Sequence, residues 1–289
     1  MKTKGLFIAL CLLVAMGTRA EVVKGNGNFV TKEIKVAPFE SILIGEGFKN
    51  VMAGGFKDFI DILYNAFKNG TSRSVGGMNF SYSQTPGETA LSVTIDENLF
   101  PYLEITSSKG VLSVDAKVGV EIKSGKLEIV ASSANLEEVR LSGPVSFGIS
   151  TPLSVDKLFM TISGSGNIVM PHPVRVNTYT ILVSGSGNLN AGDLVCSKMS
   201  GNISGSGNFN IAGEAEEAKY TISGSGDVNT FDFKVKKVDA YVSGSGDINV
   251  YATEDLNVNV SGSGGVKYKG NPTSLQVNSS GSSLVKKAD

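Results

Sequence analysis

The sequence predicts an all-β protein, a parallel β-helix or solenoid of roughly 20-residue coils, with one short helical insertion near its N-terminal end. Three observations carry that prediction. A Ser-Gly-Ser-Gly-Asn/Asp motif recurs through the C-terminal half, each copy is flanked by residues that alternate apolar and polar, and the 35 glycines of the chain follow no collagen-like three-residue period. The absence of tryptophan and the small number of prolines fit many short strands joined at tight corners.

In chain order, Lys2 and Lys4 precede an apolar run from Leu6 to Ala15 and then Met16-Gly17-Thr18-Arg19-Ala20. This is the layout of a secretory signal peptide over residues 1–20, cleaved after Ala20. The run is about ten residues, against the roughly 20 a bilayer crossing needs, so the product is expected not to be an integral membrane protein. Leu10 directly before Cys11, inside the apolar run, argues against lipidation. The mature chain then starts near Glu21 with Cys196 as its one cysteine, so no internal disulfide can staple it.

Residues 21–140 read as an N-terminal β region. Strands are expected at Phe39–Ile44, Asn79–Gln84, Ala90–Ile95, Leu103–Thr106, Val111–Ala116 and Lys126–Val130, separated by turn signals such as Pro86-Gly87 and Lys109-Gly110. One segment has a different period. Phe56, Phe59, Ile60, Leu63 and Phe67 fall at helical spacing and Asn69-Gly70 follows as a stop, which predicts an amphipathic helix near 56–68. Its expected role is a cap over the end or flank of the sheet, with docking of a partner as the other reading.

Residues 141–289 hold the repeat, expected to run on from the N-terminal region as one elongated body. The motif starts at Ser163, Ser184, Ser204, Ser223, Ser243 and Ser261, at intervals of 21, 20, 19, 20 and 18 residues, with weaker copies at Ser142-Gly143-Pro144 and Ser280-Gly281-Ser282. Such a period suits one coil of a β-helix, where each coil buries its apolar residues against the next. If the motif stays extended, Ile222, Gly224, Gly226 and Val228 share one parity and point inward. Ser223, Ser225, Asp227 and Asn229 then point outward. If a glycine takes φ > 0, the chain bends and the parity fails beyond it. A corner at or beside the motif is the expectation. The candidate ligand face is the outward set: Ser163, Ser165, Asn167, Ser184, Ser186, Asn188, Ser204, Ser206, Asn208, Ser223, Ser225, Asp227, Ser243, Ser245 and Asp247. Stacked about 4.8 Å apart, these rows can also hydrogen-bond to one another along the axis.

Phe39-Glu40-Ser41-Ile42, then Asp96-Glu97-Asn98-Leu99-Phe100-Pro101-Tyr102-Leu103, then the SGSGN and SGSGD series resemble the bacterial family named putative auto-transporter adhesin, head GIN domain, from about Val36 to Val277. The resemblance implies a parallel β-helix-like protein, common in Bacteroides and relatives and secreted or surface-associated. It supplies no catalytic residues, and the stretch Phe48–Met78 departs from the family pattern as an insertion.

Little in the chain points to chemistry. The net charge of −1 and the absence of any basic cluster beyond a lysine pair exclude the footprint of a nucleic-acid binder. His172, the one histidine, lies between Pro171 and Pro173 with no partners at metal or triad spacing, and Cys196 reads as a small buried residue. Asp227 and Asp247 would stack one coil apart, as a hydrolase pair or calcium site requires, yet Asn167, Asn188, Asn208 and Gly265 hold the equivalent positions. No catalytic residue, metal or cofactor is expected. The functional expectation is an exported, surface-associated interaction protein, an adhesin offering its polar face to a glycan or a cell-surface protein, and not an enzyme. The alternatives are a carbohydrate-active lyase or hydrolase on the same scaffold, or an envelope protein that assembles with its own copies. Final location, whether periplasmic, outer-membrane-associated or extracellular, is left open.

Overall fold

The computed structural model describes residues 20–45, 74–75, 77–280 and 284–288, and shows a nearly all-β chain wound into a solenoid of about seven turns. The N-terminal region contains β1 (Glu21–Lys24), β2 (Phe29–Glu33), β3 (Phe39–Ile44), β4 (Ser74–Val75), β5 (Met78–Gln84), β6 (Ala90–Asp96), β7 (Leu103–Ser108), β8 (Gly110–Ala116), β9 (Val120–Lys123) and β10 (Leu127–Ser133). The coils continue as β11 (Glu138–Leu141), β12 (Val145–Ile149), β13 (Leu153–Ile162), β14 (Asn167–Met170), β15 (Val174–Val183) and β16 (Asn188–Ile203). They finish as β17 (Asn208–Ile222), β18 (Val228–Val242), β19 (Ile248–Val260), β20 (Gly265–Lys269), β21 (Ser274–Ser279) and β22 (Leu284–Lys287). Among the described residues the one helical element is a short 3-10 segment, Glu97–Tyr102, inside the DENLFPYL stretch. The helix expected near 56–68 and the signal peptide expected at 1–20, save its last residue, fall outside the described residues.

Parallel ladders build three faces. The first face uses the segments before each motif: β3, β11, the ends of β13 and β15–β19, and β21. The second uses the segments after it: β5, β12, β14, the starts of β16–β19, β20 and β22. The third joins them through the starts of β13 and β15 and the middles of β16–β18. Register follows the repeat: Asn167 pairs with Asn188, Asn188 with Asn208, Phe209 with Val228, Val228 with Ile248 and Ile248 with Val266.

Inward positions form columns. Phe147, Ile168, Leu189, Phe209, Val228, Ile248 and Val266 run down the second face and are all buried. Because identical positions stack, one oversized residue must be answered by its neighbours. Gly201 stands in the column of Ile181 and Tyr220, and a Cβ there would meet the Phe209 ring at 2.9 Å. Its missing side chain makes room for both rings.

The N-terminal end is closed by antiparallel pairing. β7 lies antiparallel to β8, which continues the first face through β3, and β2 pairs with β6 and β6 with β10, both antiparallel, beside β5. A small parallel sheet β1–β9–β4 lies beside it. Asp96, at the end of β6, holds this region together. Its buried carboxylate accepts hydrogen bonds from the Gly27 N–H (2.6 Å), the Ser124 hydroxyl (2.5 Å) and the Gly125 N–H (3.3 Å). Burial works against its charge, but these donors outweigh burial and hold the carboxyl below its ordinary range.

The motif glycines decide the corner. In the six full copies none has a positive φ, whereas Gly143 of the weaker copy does (93°), so the inward and outward parity runs unbroken through each full copy while the chain bends across Ser-Gly-Ser. Their conformation does not require glycine; their surroundings do. A Cβ on Gly224 would overlap the carbonyl oxygen of Gly205, one on Gly244 that of Gly224, and the second column, Gly207, Gly226 and Gly246, repeats the overlap. Backbone N–H groups in turn donate across the same gap, Ser225 to Gly205 at 2.9 Å and Ser245 to Gly224 at 3.0 Å. In the first coil the corner is replaced. Ile44 is in register with Leu141 and Met78 with Val145, so 33 residues connect positions that five connect between Ile222 and Val228.

Gly224→Ala is expected to lower stability by about 2–3 kcal/mol, since the backbone of a whole coil must shift. Gly148→Ala, whose Cβ would find its nearest neighbour at 4.0 Å, should stay within about 0.5 kcal/mol in the same denaturant titration. Asp96 makes a pH prediction. Its stabilisation is complete above the ordinary carboxylate value and fades as pH falls through its lower folded value, so acid unfolding should be blunted in Asp96→Asn. At neutral pH that variant should lose on the order of 1–3 kcal/mol.

Candidate functional site

The corner ridge is the place where the predicted face can be tested against geometry. Each copy sends its two serines outward, and Ser163, Ser165, Ser184, Ser186, Ser204, Ser206, Ser223, Ser225, Ser243 and Ser245 are all exposed, with the glycine between each pair only partly so. Their backbone N–H groups hold the coils together; Ser184 donates to Ile162 at 2.9 Å and Ser186 to Gly164 at 3.0 Å. Apart from a 3.4 Å contact from Ser243 to the Ile222 carbonyl, these hydroxyls make no hydrogen bond among the described residues. The result is two parallel rows of hydroxyls on a ridge floored by glycine.

The fifth motif position behaves differently. Asn188 donates its amide to Asn167 Oδ1 at 2.8 Å, and Asn208 donates both its amide and its backbone N–H to Asn188 Oδ1 at 3.1 Å. The Asp227 N–H then donates to Asn208 Oδ1 (3.0 Å), the Asp247 N–H to Asp227 Oδ1 (2.8 Å) and the Gly265 N–H to Asp247 Oδ1 (2.7 Å). From Asn188 onward, one side-chain oxygen per coil thus satisfies a backbone donor of the next coil, which the strand ladder leaves over at the bend, whereas the Asn188 N–H itself still donates to the Gly166 carbonyl at 3.1 Å. Asn and Asp both supply that oxygen. The serines and the Asn/Asp residues, grouped together in the sequence, therefore separate: the former face solvent and the latter link coils. A second row beside it, Asn190, Asn210 and Asn229, links amide to carbonyl at 3.1 and 3.5 Å and ends at Asn249, whose Oδ1 is buried without a hydrogen-bond partner.

On the first face, next to the ridge, Tyr241 borders a shallow groove of about 430 Å³ with Ser243, Asn259, Ser261 and Asn278. Lys219 lies over the Tyr241 ring at 5.1 Å. Asn257 donates to Asp239 at 3.0 Å and Asn278 to Asn259 at 3.1 Å, which fixes a polar strip along this groove. Of the four tyrosines near the repeats, Tyr179 and Tyr220 are fully buried with their hydroxyls on the sulfurs of Met160 and Met199, while Tyr241 and Tyr251 are half-buried on the outer side.

The third face carries a charged groove that the sequence reading missed. Arg175, Glu214, Glu216, Lys234, Lys236 and Glu254 line it over a floor that includes Val176, Cys196 and Val235. Consecutive coils contribute its residues at separations near 20, so no local cluster announces it. Arg175 forms two 2.9 Å bonds to Asp193, and Lys236 bonds Glu216 at 2.9 Å. These cations hold the Asp193 and Glu216 carboxyls below their ordinary range, the opposite of what a general acid needs at neutral pH. Burial pushes the Cys196 thiol up to about 12, so it carries no thiolate nucleophile. His172 is exposed between β14 and β15. Among the described residues no three His, Cys, Asp or Glu side chains converge as metal ligands, and no helix is long and apolar enough to cross a membrane.

Among solved structures, three resemble the chain over 93% of its length and the whole of theirs. They are a putative lipid binding protein from Parabacteroides distasonis (29% identity, TM-score 0.78) and putative adhesins from Parabacteroides merdae (28%, 0.76) and Parabacteroides distasonis (27%, 0.77). A putative adhesin from Bacteroides fragilis, at 20% identity and a TM-score of 0.64, shares the fold. No curated protein matches. The family model of the putative auto-transporter adhesin, head GIN domain, matches residues 73–272; with more than half of its length so matched, the chain belongs to that family.

Proposed function

We propose that the protein is exported, stays associated with the cell surface, and works there as an adhesin whose serine ridge and adjoining first face engage a glycan. The observation that carries this reading is the pair of solvent-facing hydroxyl rows beside Tyr241. Hydroxyls spaced about 4.8 Å apart can each exchange a hydrogen bond with successive sugar units, and a tyrosine ring offers a stacking surface at the same ridge. Affinity then accumulates from many weak contacts along the solenoid. The adhesin names of the family and of two similar structures from Parabacteroides agree with this reading. A lyase or hydrolase on this scaffold would have to use the charged groove of the third face, where the carboxylates of Asp193 and Glu216 are already tied to cations.

The ladder geometry makes a clean binding test available. Asp227→Asn together with Asp247→Asn should leave thermal stability within about 0.5 kcal/mol, because Asn208 already accepts the same hydrogen bond in the preceding coil. Asp227→Ala should cost about 1 kcal/mol through the orphaned Asp247 N–H. On an array of host and bacterial glycans, the chain from Glu21 onward should bind a ligand saturably and without calcium. The double Asn variant should bind as well, and Tyr241→Ala roughly tenfold more weakly. Absence of binding to any glycan would sink the glycan reading, and oligomers in light scattering would favour assembly with its own copies.

A further inference from the structure

The two ends of the solenoid are built differently. Antiparallel strands close the N-terminal end, whereas β21 and β22, in the last coil, each pair on one side only among the described residues, β21 with β19 and β22 with β20. The core columns therefore emerge into solvent. Leu275 continues the column of Leu256 and Val277 that of Val258, and they are 45% and 44% exposed where their predecessors are buried. Leu284, on the outer side of β22, is 56% exposed. These three are among the eight large hydrophobic residues exposed in the described chain, and they fall within ten residues of one another.

Charge is concentrated at the same end. From Leu256 to Asp289 the sequence contains four lysines, Lys267, Lys269, Lys286 and Lys287, against one acidic residue, Asp289, in a chain whose net charge is −1. Lys267 and Lys286 are exposed and in register on neighbouring strands, and Lys287 reaches Asn271 at 2.6 Å. An end that couples exposed aliphatic side chains with an excess of lysine over acid matches the interface of an anionic bilayer, where phosphates lie above acyl chains. A second copy is a poorer occupant, since a two-fold end-to-end contact would set these lysines against their equivalents.

We propose that the C-terminal end of the solenoid docks on an anionic phospholipid surface, with Lys267, Lys286 and Lys287 at the phosphates and Leu275, Val277 and Leu284 at the acyl boundary. This leaves the ridge and first face pointing sideways from the membrane, available to a ligand. It stands independently of the glycan reading.

The test is sedimentation of the protein, purified in its exported form from Glu21 onward, with vesicles of phosphatidylcholine alone or mixed with phosphatidylglycerol. The expected result is binding to the mixed vesicles at low salt, little to the neutral ones, and release in roughly 0.5 M salt, as screening dictates. Each lysine at the surface is worth about fivefold in partitioning, so Lys267→Gln with Lys286→Gln should weaken binding roughly 25-fold. Leu284→Ser, at an exposed position, should weaken it further without changing the melting transition. Failure to sediment with anionic vesicles at low salt would overturn the proposal. So would binding that these variants leave unchanged, or dimers in light scattering that the same variants dissolve.

Discussion

The tight approach of backbone to backbone at the Ser-Gly-Ser-Gly corner sets the terms for everything else. Coils stacked in register bring the carbonyl of one glycine to the place where the next would carry its Cβ. Two columns of glycine are the only side-chain choice that lets the corner close at strand spacing. Once it closes, the strands before and after it are locked in register, and every inward column of the core follows from that lock.

The Asn/Asp ladder completes the same corner. At a bend the strand hydrogen bonds lapse, and the donor left over is met by a side-chain oxygen from the coil before. This explains why Asn gives way to Asp in mid-series without consequence for the fold, and why Gly265 can end it: Gly265 needs only to donate. Packing is then adjusted within columns, as where Gly201 yields space to Phe209 and Tyr220.

Much of this was legible in the sequence because the repeat is also the register. The intervals between motifs reappear as the offsets between paired residues, and the expected strands at Phe39–Ile44, Ala90–Ile95 and Val111–Ala116 lie within β3, β6 and β8. The unbroken parity was one of two readings left open, and the absence of positive φ in the full copies decides it. Less legible were β1, β2 and β9, which are short, largely exposed or lacking a clear alternation, and the part of the antiparallel closure that joins distant strands, such as Val30 with Ile95 and Leu91 with Ala131. The candidate face could be named but not divided, since serine and asparagine look alike as polar residues of one parity. Their hydrogen bonds distinguish them. The charged groove and the tyrosine groove are each assembled from several coils, so neither has a local signature.

The replaced corner of the first coil bears on how such a protein changes over time. The position that refuses a single methyl group in the repeats accepts 33 residues between Ile44 and Met78, with register on either side intact. A change of length at a bend leaves the ladders on either side in register, whereas an added Cβ at a motif glycine meets the backbone of the coil before. Each of the other corners is then a potential branch point, where a lineage can graft new sequence onto the solenoid without renegotiating its core.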